Sequence, residues 1–230
     1  MRPLAYGGHP AQVVELTEPD TRADAVVLLV HGGYWRARHG LELSRPLVPS
    51  LVAAGFAVAN TGYRRVGDGG GWPTSLDDVA AARAALGGDR PVFAVGHSAG
   101  GQLAVCLAKR GAVAGVVCLA GVLDVVAAAR QDLGEGATRQ FLGGHPDDLP
   151  DTYAAASPLA LAPIGVPVTC VHAADDDRVP IAQSTAFTEL TGDRLVTLAT
   201  GGHFAFLDPD SQAWAVAIEE ISRLAGSSPS

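Results

Sequence analysis

Val92-Phe93-Ala94-Val95-Gly96-His97-Ser98-Ala99-Gly100-Gly101 reads as a buried strand, then Gly-x-Ser-x-Gly, then the start of a helix. That order puts a serine on a tight strand-to-helix turn, with its hydroxyl pushed out of the backbone. Gly96 and Gly100 fall where the turn is crowded, because a Cβ at either position would meet neighbouring backbone. The helix expected to follow carries Leu103, Ala104, Val105, Leu107 and Ala108 and begins at Ala99. Its free N–H groups and its dipole therefore face whatever Ser98 attacks. Ser98 is the candidate nucleophile. The plainer alternative is a glycine-rich turn whose serine merely caps the helix.

A serine hydroxyl is a poor nucleophile at neutral pH and needs a base, which in turn needs a partner to hold its tautomer. On a sheet of this type the carboxylate and then the histidine follow the serine along the chain. The acids cluster in His172-Ala173-Ala174-Asp175-Asp176-Asp177-Arg178-Val179-Pro180, past the carboxyl end of an apolar strand, where open α/β sheets place function. Asp176 is the choice, with Asp175 and Asp177 as alternatives, since three adjacent acids cannot all point one way. The candidate base is His203 in Gly201-Gly202-His203-Phe204, where two glycines let the loop fold back toward the nucleophile. His97, beside Ser98, is expected to point away from it.

Acyl transfer also needs donors for a developing oxyanion. The Ala99 N–H is one. The loop His31-Gly32-Gly33-Tyr34-Trp35, after the apolar run Ala25 to Val30, offers Gly33 and Tyr34. Trp35, Trp72 and Phe204 are candidate substrate-binding residues. The aromatic group they belong to, with Tyr34 and Phe206, is equally compatible with core.

Outward from these motifs, strand-like and helix-like stretches alternate. Strands are expected at Gln12 to Leu16, Ala25 to Val30, Phe56 to Asn60, from Val92, Val113 to Leu119, Val166 to His172 and Arg194 to Leu198. Helices are expected at Leu43 to Ala54, from a Ser75 cap to Leu86, after Ser98, Ile181 to Leu190 and Pro209 to Leu224. This alternation predicts the α/β class: a mostly parallel central sheet with helices on both faces. Residues 1–225 then form one domain, and the Gly- and Pro-containing stretch 123–165, after the fourth core strand, is a small site-covering insertion. Residues 226–230 read as a disordered tail.

The chain's 230 residues suffice for one sizeable core. Sixteen Lys and Arg stand against twenty-four Asp and Glu, a net charge of −8 with no basic stripe, which argues against nucleic acid or an anionic membrane as partner. Cys106, Cys118 and Cys170 lie in apolar runs and no Cys/His spacing suggests a metal site, so they read as buried thiols of a reducing compartment. The first residues lack an apolar signal region, and no apolar run is long enough to span a bilayer; the expected location is cytoplasmic.

Taken together, the His-Gly-Gly loop, the Gly-x-Ser-x-Gly elbow, the Asp-x-x-Val-Pro stretch from Asp176 to Pro180, and the late Gly-His resemble the α/β-hydrolase family over nearly the whole chain. The His31–Trp35 form looks like that of arylformamidases (kynurenine formamidases). It is also close to hormone-sensitive-lipase-type esterases, which usually carry a third glycine where this chain has Tyr34. Tyr63-Arg64, Trp72-Pro73 and Asp77-Asp78 are similar to segments of both groups. The resemblance implies a metal-free serine hydrolase without a cofactor, acting on a small carboxylic ester or, as the alternative, an arylformamide. A non-catalytic ligand-binding receptor is the competing class.

Overall fold

The computed structural model describes residues 1–226. Its sheet has eight strands in the order β1-β2-β4-β3-β5-β6-β7-β8: Arg2–Ala5, Val13–Thr17, Val26–Val30, Ala57–Thr61, Val92–His97, Gly115–Leu119, Val168–Ala173 and Arg194–Leu198, numbered along the chain. β1 and β2 pair antiparallel with each other and β2 with β4, while all other neighbours are parallel. Every residue of β3, β4, β5, β6 and β7 is buried, as a parallel sheet covered on both faces requires.

The side-chain alternation of a strand divides these residues between two cores. Val26, Leu28, Val30, Ala94 and Cys118 face one side, where they meet Leu76 and Val79 of α2 (Thr74–Ala85), Leu103 of α3 (Ala99–Lys109) and Phe187 of α8 (Ala182–Thr191). Val27, Leu29, Phe93 and Val95 face the other, where they meet Leu51 of α1 (Val48–Ala53) and Trp214 and Ile221 of α9 (Gln212–Gly226). The expected doubly covered sheet is therefore present. All three cysteines are buried and free, and no helix among the described residues is long and apolar enough to cross a membrane.

Several boundaries differ for identifiable reasons. The stretch expected to be one helix from Leu43 to Ala54 is two 3-10 turns, Leu41–Leu43 and Arg45–Leu47, followed by the short α1. Pro46 and Pro49 lack the N–H that would propagate a single helix. Ser75 does not cap α2, which begins one residue earlier. Its hydroxyl instead donates to the Arg64 carbonyl at 2.7 Å. The last helix starts at Gln212, not Pro209, and the Ser211 hydroxyl accepts the Trp214 N–H at 3.0 Å. Gly226, read as part of the tail, is the final residue of α9, while the tail expectation for 227–230 lies outside the described residues. β1 had no counterpart among the expected strands; its side chains are mostly exposed, so no apolar run marks it.

Between β6 and β7 lie four short helices: α4 (Val125–Arg130), α5 (Ala137–Leu142), α6 (Pro150–Ala156) and α7 (Pro158–Leu161). The Asp124 carboxylate caps α4 by accepting the Val126 and Ala127 N–H groups, each at 3.0 Å.

Trp214 is sealed from solvent and donates its indole N–H to Ser50 at 2.8 Å, joining α9 to α1 on one sheet face. Trp214→Ala should cost about 3–5 kcal/mol. Urea unfolding followed by far-UV circular dichroism checks this; a loss under about 1 kcal/mol would show that this face repacks around the void.

Candidate active site

Ser98 follows β5 directly and holds φ 56 and ψ −120, a conformation that L-residues rarely adopt and that costs on the order of 1–3 kcal/mol. Close packing imposes it. A Cβ on Gly96 would lie 2.2 Å from the Gly100 carbonyl oxygen, and one on Gly100 would lie 2.1 Å from that of Val30. The N-terminus of α3 is thus pressed against the ends of β3 and β5. No side chain caps that end, and Ala99 and Gly100 are its first residues, so their N–H groups stay aimed outward at the head of the turn.

The loop after β3 turns through three successive residues with positive φ: Gly33 at 101°, Tyr34 at 58° and Trp35 at 55°. For Tyr34 and Trp35 that is sterically unfavourable and has to be held by surrounding contacts. Those contacts are visible. Tyr63 stacks on His31 at 4.3 Å and donates its hydroxyl to the His31 carbonyl at 2.9 Å. Arg64, next to Tyr63, gives its N–H, Nε and Nη2 to the buried Asp78 carboxylate at 2.7–2.9 Å, and Gln12 adds a further donor at 2.8 Å. Burial would raise the pKa of Asp78, but the Arg64 hydrogen bonds outweigh it and hold the carboxyl below its usual value.

The three adjacent acids take three different places. The Asp176 side chain is closed to solvent, and its Oδ2 lies 2.7 Å from His203 Nδ1 and 3.3 Å from His172 Nε2. Its Oδ1 accepts the N–H groups of Arg178 and Val179 at 2.8 and 2.9 Å. Burial alone would raise its pKa; the bonds from His172, His203 and the Val179 N–H more than offset this, so the carboxyl sits well below the ordinary carboxylate range. Asp175 accepts the N–H groups of Gly201 and Gly202 at 3.3 and 2.8 Å, tying down the loop that carries His203. Asp177 is exposed and lies 3.5 Å from Arg178. His172 backs this arrangement: one ring nitrogen meets the Ser184 hydroxyl at 2.8 Å and the other the Val179 carbonyl at 2.9 Å. His97, expected to point away from Ser98, sends its ring to His203, with centroids 4.6 Å apart and Nε2 2.9 Å from the His203 carbonyl. The His97 contact joins residues 106 apart in the chain, so no local pattern announces it, whereas the His172 contacts lie within or just beyond the acid loop itself.

A cavity of about 440 Å³ is lined among others by Tyr34, Arg36, Glu135, Asp132, Arg178 and Phe204; it reaches the sequence neighbours of Asp176 and His203, but Ser98, Asp176 and His203 are not among its lining residues. Phe204, expected to bind substrate, is 57 % exposed there. Trp35 is not brought to this cavity. It is 2 % exposed, stacks flat on Phe141 at 4.6 Å and donates its indole N–H to Gln102 at 3.2 Å. Its large apolar surface is better buried under α5 than left at the opening. Trp72 packs edge-on against the same Phe141 at 6.1 Å and is likewise not among the cavity's lining residues. Among the described residues no group of three or more His, Cys, Asp or Glu side chains is placed to hold a metal ion.

Residues 14–190 match the family model described as BD-FAE. No match was found among curated protein sequences. Of the solved structures, one similar to this chain is a truncated form of a carbohydrate esterase from gut microbiota. The two are 18 % identical over 97 % of this chain and 95 % of that one, with a TM-score of 0.80. Esterase B from Lactobacillus rhamnosis, with a tributyrin phosphonate, is 20 % identical over 97 % of this chain and 84 % of that one, TM-score 0.79. The HSL-homolog EstE7 from a metagenome library is 22 % identical over 93 % of this chain and 82 % of that one, TM-score 0.74. At these identities the likeness is one of fold, and it agrees with the α/β-hydrolase architecture.

His31 and His97 are kept neutral by the folded protein: burial pushes His31 from 6.5 down to about 4, and burial with the neighbouring His203 pushes His97 down to about 3. In the unfolded chain both take up a proton near pH 6.5. Between pH 6.5 and pH 4 the unfolded state therefore binds more protons, so stability falls as the pH is lowered through that window. Urea midpoints at pH 7 and pH 5 should show a lower value at pH 5; equal midpoints would mean that neither ring is held neutral.

Proposed function

The chain belongs to the BD-FAE family, and from that premise we propose that it is a serine hydrolase cleaving small carboxylic esters through an acyl-enzyme. One observation carries the reading: a carboxylate sealed from water sits 2.7 Å from His203 Nδ1, at the sheet end where Ser98 occupies a strained turn. In this reading Ser98 is the nucleophile, His203 the base and Asp176 the group that orients it. With the Nδ1–H committed to Asp176, the bare Nε2 takes the hydroxyl proton as Oγ attacks the carbonyl carbon. The oxyanion is received by the N–H groups of Gly33, Tyr34 and Ala99, donors set by the backbone before substrate arrives. His203 then gives its proton to the leaving oxygen. A water molecule, deprotonated by the same ring, releases the acid and restores Ser98.

The substrate sides follow from the surroundings. The leaving group occupies the cavity between Tyr34 and Phe204, and residues 123–165 act as the site-covering insertion of a single domain, a reading supported by Asp132 and Glu135 in the cavity wall. Two of the structurally similar proteins are esterases by name, which favours an ester. A second reading, arylformamidase, is favoured by the two aromatic rings of Tyr34 and Phe204 facing one cavity, a fit for an aromatic leaving group. The relative kcat/KM on N-formylkynurenine, p-nitrophenyl acetate and p-nitrophenyl butyrate separates them. Preference for the esters is expected, and preference for the formamide would reverse the order of the two readings.

Ser98→Ala should lose nearly all turnover and all labelling by a fluorophosphonate probe while keeping its circular dichroism spectrum. A wild-type protein that the probe leaves unlabelled would instead indicate a ligand-binding receptor. Asp176→Asn should lower kcat by a factor on the order of 10⁴. Asp177→Asn should stay near wild type, and a comparable collapse there would move the orienting role to Asp177.

A further inference from the structure

We propose that His97 is a positioning residue: its Nε2–H holds the main chain of His203 and so sets where the His203 ring meets Ser98. The inference rests on the reading of Ser98 and His203 as nucleophile and base. It begins with the tautomer. His97 Nε2 lies 2.9 Å from the His203 carbonyl oxygen, which can only accept, so Nε2 carries the proton and Nδ1 is bare. Nδ1 is buried without a partner. An apolar side chain would fill the same space and leave no buried nitrogen unsatisfied. What the histidine adds over such a residue is the single bond to His203.

That bond falls between a pair of glycines and the 3-10 turn Ala205–Leu207. His203 follows Gly201 at φ 140 and Gly202 at φ 63, two residues with the widest backbone freedom available. Asp175 fixes the N–H groups ahead of His203, and Asp176 fixes its ring through Nδ1. Neither holds the chain on the far side of its Cα; His97 does. With a side chain pinned at one end only, rotation about its bonds would move Nε2 while leaving the Asp176 contact intact. His97 is also the residue immediately before Ser98, so the nucleophile and the base are tied through one side chain rather than through the whole sheet.

The ring is itself immobilised, as an anchor must be. It lies against His203 on one side and Phe206 on another, with centroids 4.6 and 6.3 Å away. A Cβ added to Gly32 would sit 3.2 Å from its Nδ1 and 2.8 Å from its own carbonyl oxygen. The turn after β3, the turn of the serine and the loop of His203 therefore all close on His97. Its hydrogen bond goes to the His203 main chain, and it acts through His203.

Three variants test this, measured with p-nitrophenyl acetate under single-turnover and steady-state conditions. His97→Leu keeps bulk but removes the donor. It should lower the acylation rate and kcat by about tenfold to a hundredfold, the range expected for misplacing a reacting group by about 1 Å, with KM changed less than about twofold. His97→Gln carries an amide nitrogen near the position of Nε2 and should recover most of the lost rate. His97→Asn carries its amide near Nδ1, too short to reach the carbonyl, and should not. If His97→Leu fails to fold, the contrast between Gln and Asn at matched melting temperatures still decides the matter. Wild-type kcat in His97→Leu, or equal rates in Gln and Asn, overturns the proposal and leaves His97 a packing residue. Ser98→Ala run alongside distinguishes the premise from the inference: turnover surviving in it would mean that the serine reading, not the anchor, has failed.

Discussion

The approach of the α3 N-terminus to the ends of β3 and β5 is the constraint on which the other parts of the site depend. Gly96 against the Gly100 carbonyl and Gly100 against that of Val30 leave no room for a single methyl group. At that separation the turn has one solution, and it forces Ser98 into a conformation that would not persist in a free chain. The same approach brings the loop after β3 beside the helix end. The positive-φ run from Gly33 to Trp35 is then backed by Tyr63 and Arg64 from the loop after β4 and by Asp78 from α2. Local strain is thus held by packing that is not itself strained.

A second feature is the use of buried polar groups as fasteners between loops. Asp176 keeps its charge out of water because donors from His203, His172, Arg178 and Val179 surround it. A carboxylate buried without them would be neutral at ordinary pH and a poorer partner for an imidazole. His31, His97 and His172 are buried too, and each bonds a loop rather than solvent. His203 and His172 both meet Asp176, and His97 meets the His203 carbonyl.

What was legible in the residues themselves follows a pattern. β3, β5 and β7 announced themselves because a strand covered on both faces has to be apolar throughout. Ser98, the glycines around it and the late His203 were legible because a crowded turn and a returning loop impose residue types at fixed local spacing. The helix expected from Leu43 to Ala54 was misjudged because its apolar positions suit one helix while Pro46 and Pro49 prevent it. Trp35 was misjudged because an aromatic residue beside a site motif looks the same in sequence whether it faces the cavity or Phe141.

By itself, the sequence determined the α/β class, the order of the strands' chemistry-bearing ends and the identity of the serine turn. These rest on short-range rules of apolar periodicity and steric allowance, which operate within a few residues. Only the tertiary structure decided which of Asp175, Asp176 and Asp177 meets His203, that Trp35 turns inward, and that His97 reaches a carbonyl 106 residues away. These outcomes depend on how separate elements pack. A side chain's direction there is set by neighbours far along the chain, whose positions no local pattern encodes.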